Sequence, residues 1–128
     1  MTGLSIPLTE PGSFRDPAGR VIRLGDRIFR TVNDCAADDY DFAERTGFLR
    51  ELAESGDIVR TERVDGQILG PAAAGARYVL EHEPLRFVSY PYEWSFAALQ
   101  AAALLHLDIQ LKALDHGITL SDASAYNV

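Results

Sequence analysis

The stretch from residue 92 to 115, YEWSFAALQAAALLHLDIQLKALD, limits what this chain can fold into more than any other. Alanine and leucine dominate it, and both are among the best helix formers. Pro91 precedes the stretch and Gly117 follows it, as is typical for the two ends of a helix. Because apolar residues fall on nearly every side of this predicted helix, neighbouring elements must cover it on several sides. The chain offers few other helices for that purpose, so we expect more of the protein to lie beyond Val128.

The same helix is not predicted to cross a membrane. His106, Asp108 and Lys112 lie inside it, and ionisable side chains are costly within a bilayer. The N-terminus lacks the basic region and the apolar stretch of a signal peptide. We therefore expect a cytoplasmic protein with no membrane partner.

Two further patterns predict the remaining elements. The segment 38–55 is helical in character, with an aspartate at its start, a break at Gly47 and an end at Gly56. Strand-forming runs bounded by turn signals predict short strands at 12–16, 20–24, 27–32, 57–64, 77–83 and 85–90. We expect one α+β domain over residues 1–128, in which an antiparallel sheet of about five strands packs with the 92–115 helix. The order of elements is also compatible with a kinase-like arrangement of lobes.

Charge and cysteine content exclude several classes of partner. The chain has 19 acidic and 12 basic side chains, and its net charge is −7. Nucleic acid is a poor partner for such a surface, because binding to phosphates depends on lysine and arginine. Cys35 is the only cysteine, so neither an intrachain disulfide nor a cysteine-based zinc site can form. His82, His106 and His116 share no short spacing, and we predict no metal site.

The terminal segment LSDASAYNV contains an aspartate and an asparagine five residues apart. After a long helix, this spacing is typical of the catalytic loop of protein kinases. On that interpretation Asp122 is the catalytic base and Asn127 is the metal ligand. The positions before Asp122 hold Leu120 and Ser121, where kinases have histidine and arginine. The alternative is that these polar residues cap turns through local hydrogen bonds.

A second candidate site is the aromatic segment RFVSYPYEWSF, residues 86–96. Aromatic side chains at a corner between strand and helix can line a ligand pocket, for which we select Tyr90, Tyr92, Glu93 and Trp94. The alternative is that the aromatic rings only clamp the helix to the sheet.

Three segments together resemble a known family. They are SFRDPAGRVIRLGDRIFRTV, the run from 78 to 114, and GITLSDASAYNV. They are similar to the N-terminal region of bacterial class I S-adenosylmethionine-dependent methyltransferases, among them nodulation-type proteins. The resemblance implies the leading module of a larger enzyme, with a downstream domain of the same polypeptide as its partner. It also implies S-adenosylmethionine as the cofactor of the full-length protein.

The chain itself carries no cofactor signature. No Gly-x-Gly-x-x-Gly or Walker motif is present, so we expect no cofactor in this segment and no catalytic role for it in methyl transfer. Three hypotheses stay open. In the first, the chain is an accessory module for substrate recognition, positioning or dimerisation, which leaves a homodimer open. In the second, it is a degenerate or active kinase-like phosphotransferase fragment with Asp122 and Asn127 in the catalytic loop. In the third, it is a stand-alone interaction domain.

Overall fold

The structure, a computed structural model, describes residues 5–122 and 124–127. Its internal contacts group the chain into two compact units. Unit 1 comprises the residues up to Phe42 together with Val59–Pro84. Unit 2 comprises Ala43–Ile58 together with the residues from Leu85 onward.

Unit 1 is built on a five-stranded sheet. Its strands are β1 (Leu8–Thr9), β2 (Val21–Leu24), β3 (Arg27–Asn33), β4 (Thr61–Val64) and β5 (Ala76–His82). They lie in the order β1-β2-β3-β5-β4, and every neighbouring pair is antiparallel. The predicted α+β class with an antiparallel sheet is confirmed. A kinase-like lobe is not shown by the described residues and stays an expectation.

The β2–β3 hairpin follows from its two-residue turn. Leu24 pairs with Arg27, so only Gly25 and Asp26 connect the two strands. Gly25 has a φ of 60°, which a tight hairpin turn requires and glycine adopts without strain. The turn occupies the two residues between the predicted strands 20–24 and 27–32, where Gly25-Asp26 is a turn signal in the sequence.

The first strand differs from the prediction. The segment 12–16 is not a strand, because Pro11–Ser13 forms a 3₁₀ helix there. The pairing partner of β2 is instead Leu8–Thr9. Proline has no N–H to donate to a ladder, which explains why the strand ends before Pro11.

The apolar side chains of unit 1 form one cluster. Ile22 and Phe29 lie opposite each other in the register of β2 and β3, and both are fully buried. Val79 from β5 and Leu69 complete the cluster. Leu69 belongs to the 3₁₀ segment Gly66–Ala73 that follows β4. This segment therefore closes the core.

Helices α1 (Asp34–Thr46) and α2 (Phe48–Ser55) confirm the prediction of helical structure over 38–55. The start was wrong, since α1 begins directly after β3. Several aspartates in this region are suitable caps, and the sequence alone does not select among them. The break at Gly47 and the end at Gly56 are confirmed, with φ values of 79° and 80° that favour glycine.

Helix α3 (Phe96–Asp115) is shorter than the predicted 92–115. The hydroxyl of Ser95 accepts a hydrogen bond from the N–H of Ala98 at 3.3 Å, which fixes the first turn. Pro91–Glu93 forms a separate 3₁₀ turn before it. None of the helices within the described residues has the length and hydropathy that a bilayer crossing needs.

The predicted strand at 85–90 was wrong. These residues have no regular structure, and strand β5, which precedes them, ends at His82. Pro84 and Pro91 flank the segment, and proline interrupts strand pairing on both sides. The segment therefore has the composition of a strand but pairs with no other strand.

Candidate functional site

The outer face of α3 carries four leucines in a row. Leu104, Leu107, Leu111 and Leu114 follow each other at spacings of three, four and three residues, which places them on one side of a helix. Their exposed fractions are 56%, 57%, 63% and 57%. We call these four residues the leucine stripe. The expectation that α3 is covered on several sides is not met by the described chain, in which Ala113 is its only buried residue.

The opposite face of α3 packs inside unit 2. Ala113 is fully buried against Phe48 and Leu52 of α2. The ring of His116 lies 5.4 Å from the ring of Phe48, centroid to centroid. The packing of α3 on α2 therefore turns the leucine stripe away from the core of its own unit.

An ion pair adds to this packing. The ammonium of Lys112 donates to a carboxylate oxygen of Asp57 at 2.8 Å, and the Ser55 hydroxyl donates to the same oxygen at 2.8 Å. These hydrogen bonds, that of Lys112 first, lower the pKa of Asp57. The same contact raises the pKa of Lys112. Both groups are consequently held in their charged forms.

Acidic side chains border the stripe on one side only. Asp108 and Asp115 each follow a stripe leucine by one residue, and both are exposed. The positions on the other side hold Ala103 and Gln110, which carry no charge. The stripe is thus an apolar surface with one acidic edge.

The aromatic segment brings the predicted pocket residues into local contacts. The rings of Tyr90 and Tyr92 stack with centroids 5.6 Å apart and planes within 2°. The Glu93 carboxylate accepts from the N–H of Tyr90 at 2.8 Å, and the Trp94 indole donates to Ser89 at 2.9 Å. These contacts order the segment that leads into α3. A role in binding a ligand stays a prediction.

The terminal loop places Asn127 against Asp122. The Asn127 side-chain amide donates to the backbone carbonyl of Asp122 at 2.9 Å and to the Ser124 hydroxyl at 3.4 Å. Both predicted residues are exposed. Ala123 and Val128 lie outside the described residues. Bonds of this local kind are those of a capped turn, and the roles of catalytic base and metal ligand stay predictions.

Unit 1 contains a polar cluster that the sequence did not predict. The Tyr78 hydroxyl donates to Asp41 at 2.8 Å, and the Arg63 guanidinium lies 3.4 Å from the same carboxylate. Arg63 also lies 3.9 Å from the centroid of the Tyr78 ring and 5.2 Å from that of Tyr40. The cluster joins α1 to β4 and β5. Since its members are far apart in sequence, no local pattern could have revealed it.

A cavity of about 470 Å³ lies in unit 1, between β4, β5 and the intervening 3₁₀ segment. Small residues such as Gly66 and Ala73 line it together with Gln67, Arg63 and Arg77. Interactions with Tyr78 first, and then the charge of nearby Asp34, raise the pKa of Arg77. Among the described residues, no cluster of His, Cys, Asp and Glu side chains is suited to a metal ion.

Comparison with known proteins relates the chain to a longer bacterial protein. No family model and no solved structure matches the chain. The chain is similar to the nodulation protein NoeA of Rhizobium meliloti (strain 1021), with 46% identity over 117 residues. The aligned part is 91% of this chain but 24% of that relative. The chain therefore spans about a quarter of the length of the curated relative that it matches, and it aligns with one region of that longer protein.

Proposed function

We propose that the chain is an accessory module of a longer, nodulation-type methyltransferase, and that the remainder of the same polypeptide docks on the leucine stripe. In this proposal the module positions the catalytic part, and S-adenosylmethionine binds in that part. The similarity to a region of a much longer nodulation protein supports the proposal. So does the resemblance of the sequence to the leading region of class I methyltransferases.

The exposure of the leucine stripe is the observation that carries the proposal. Four leucines that are each more than half exposed, in line on one helix, form a contiguous apolar surface. Soluble proteins rarely leave a large patch of this kind in water, and such patches mark interaction sites. The acidic edge at Asp108 and Asp115 disfavours an anionic membrane surface as the contact. A protein surface is therefore the occupant that we infer.

The proposal places cofactor binding outside this chain because of what the chain lacks. The sequence contains no glycine-rich cofactor motif. Within residues 5–122 and 124–127 the strands pair only in an antiparallel manner, unlike the parallel sheets that bind nucleotides at their strand ends. We therefore assign cofactor binding to the remainder of the polypeptide.

The first test is the reading frame beyond codon 128, which the proposal expects to continue into a region with a glycine-rich cofactor motif. The second is isothermal titration calorimetry with S-adenosylmethionine. We expect saturable binding to the complete gene product and none to residues 1–128 alone. A gene that stops at codon 128, or saturable binding by the short chain, would overturn the proposal.

A further inference from the structure

The spacing of the leucine stripe is that of a coiled-coil seam. Steps of three, four and three residues place Leu104 and Leu111 at a positions of a heptad, and Leu107 and Leu114 at d positions. The stripe extends about 15 Å along α3, from a rise of about 1.5 Å per residue. An apolar seam of this form is complementary to a second helix, because its leucines insert between the side chains of a facing helix.

The heptad also assigns the flanking positions. Asp108 and Asp115 are both e positions, seven residues apart. Ala103 and Gln110 are the g positions. Residues at e and g determine which helix pairs with which, through charge contacts across the seam. The two aspartates therefore form the recognition edge of the stripe.

Asp108 and Asp115 can form ion pairs with a partner helix. The nearest cation along the helix is Lys112, whose ammonium is already bound to Asp57. Both aspartates are exposed. A helix that brought basic side chains to this edge would add ion pairs without breaking an existing one.

A second copy of this chain matches the edge poorly. In an antiparallel pair, the e positions of the two copies face each other, which brings Asp108 near Asp115 of the other copy. In a parallel pair, each aspartate faces an uncharged Ala103 or Gln110. Neither arrangement forms an ion pair, and each copy carries a net charge of −7. The antiparallel pair is disfavoured by like charges across the seam, and the parallel pair gains no ion pair, whereas a basic helix gains two.

We propose that the occupant of the leucine stripe is an amphipathic helix with apolar a and d positions and with lysine or arginine opposite Asp108 and Asp115. The inference rests on the proposed docking function and specifies its chemistry. The partner helix is recognised by a pair of basic residues seven positions apart, which matches the spacing of the two aspartates. The acidic edge thereby selects a basic helix over a second copy of the chain.

Two synthetic peptides test the inference with the chain as it is. Both have about three heptads with leucine at every a and d position. One carries lysine and the other glutamate at every e and g position, and like charges keep each peptide from pairing with itself. We expect the chain to bind the lysine peptide at least about four-fold more tightly, from two ion pairs of about two-fold each. The preference should decrease as salt is added.

Variants separate the charge contribution from the apolar one. The double variant Asp108→Lys, Asp115→Lys should reverse the preference between the peptides. Leu107→Ala combined with Leu111→Ala should weaken binding of the lysine peptide at least about ten-fold, because it removes exposed apolar contact area. Leu8→Ala is the matched control, since Leu8 is 66% exposed but lies in β1 of unit 1. All of these side chains are exposed, and circular dichroism checks that each variant is folded.

The outcomes distinguish this inference from the proposed function. The basic-helix inference is overturned if the chain binds both peptides equally tightly or binds neither of them. The docking proposal then still depends on its own tests. Sedimentation that shows a dimer of the chain, abolished by the two leucine substitutions, identifies a second copy as the occupant and also overturns it. The basic-helix inference is supported if the chain prefers the lysine peptide and the Asp108→Lys, Asp115→Lys variant prefers the glutamate peptide. This support does not depend on the reading frame beyond codon 128.

Discussion

The contact between α2 and α3 can be tested by enlarging one small buried side chain, that of Ala113. Ala113 is fully buried between Phe48 and Leu52, which are themselves 2% exposed. The substitution Ala113→Leu adds three carbon atoms where no space is left. Extra methylenes in a packed core force side chains or backbone to shift, at a cost of about 1–3 kcal/mol in the free energy of unfolding. We expect α3 to be displaced from α2 and unit 2 to be destabilised by that amount.

The control is the same substitution on the same helix. Ala101 is exposed and lies outside the leucine stripe, so Ala101→Leu should change the free energy of unfolding by no more than about 0.5 kcal/mol. The assay is urea unfolding followed by fluorescence of Trp94, the only tryptophan, which belongs to unit 2. Equal stability of the two variants would refute the packing of α3 on α2 through Ala113, and with it the assignment of the leucine stripe to the outer face.

Two further predictions concern a close backbone approach and an ion pair. In thermal unfolding, Gly19→Ala should destabilise unit 1 by about 1–3 kcal/mol, because its Cβ would lie 1.9 Å from the carbonyl oxygen of Thr31. Gly12→Ala should be neutral in the same assay, because its Cβ would meet no atom within 4 Å apart from its chain neighbours. The pKa of Asp57 is lowered in the folded chain, so its contribution to stability is present above about pH 4 and is lost as the pH falls through the lower folded value. Lys112→Met should reduce this acid-dependent part in a pH series of urea midpoints and leave only the smaller contribution of the Ser55 hydrogen bond. An unchanged pH profile would contradict the pairing of Lys112 with Asp57.

Elements with a local signal were predicted well. Gly25-Asp26, Gly47 and Gly56 each require a backbone conformation that glycine adopts easily, so the sequence alone located a hairpin turn, a helix break and a helix end. The runs that became β2, β3 and β5 are bounded by turn signals, and their strand-forming residues identify them as strands.

Features that depend on distant parts of the chain were not predictable in this way. The segment 85–90 has strand-like composition but no neighbour to pair with, and β1 is a strand only because β2 lies beside it. The cluster around Asp41, Arg63 and Tyr78 is likewise assembled from α1, β4 and β5. Pairing and long-range packing decide these cases, and neither is visible in a local window.

The candidate site was predictable in part. The high apolar content of the last long helix indicated that it needs a covering surface, and the exposed leucine stripe agrees with that need. Which side would be exposed could not be derived from the sequence, because nearly all sides of this helix are apolar. Only the packing of Ala113 on α2 selects one side as inner and leaves Leu104, Leu107, Leu111 and Leu114 outward.

The most direct test of the account is the accessibility of the leucine stripe in the complete gene product. Cys35 is exposed and would react, so Leu107→Cys is introduced into a Cys35→Ser background, with Leu8→Cys as the control. We predict that a thiol reagent labels both cysteines rapidly in residues 1–128. In the complete gene product we predict that Leu107→Cys is labelled at least about ten-fold more slowly, because a docked helix buries the stripe, while Leu8→Cys is unchanged. Equally rapid labelling of Leu107→Cys in both proteins would contradict the central claim that the rest of the polypeptide covers α3.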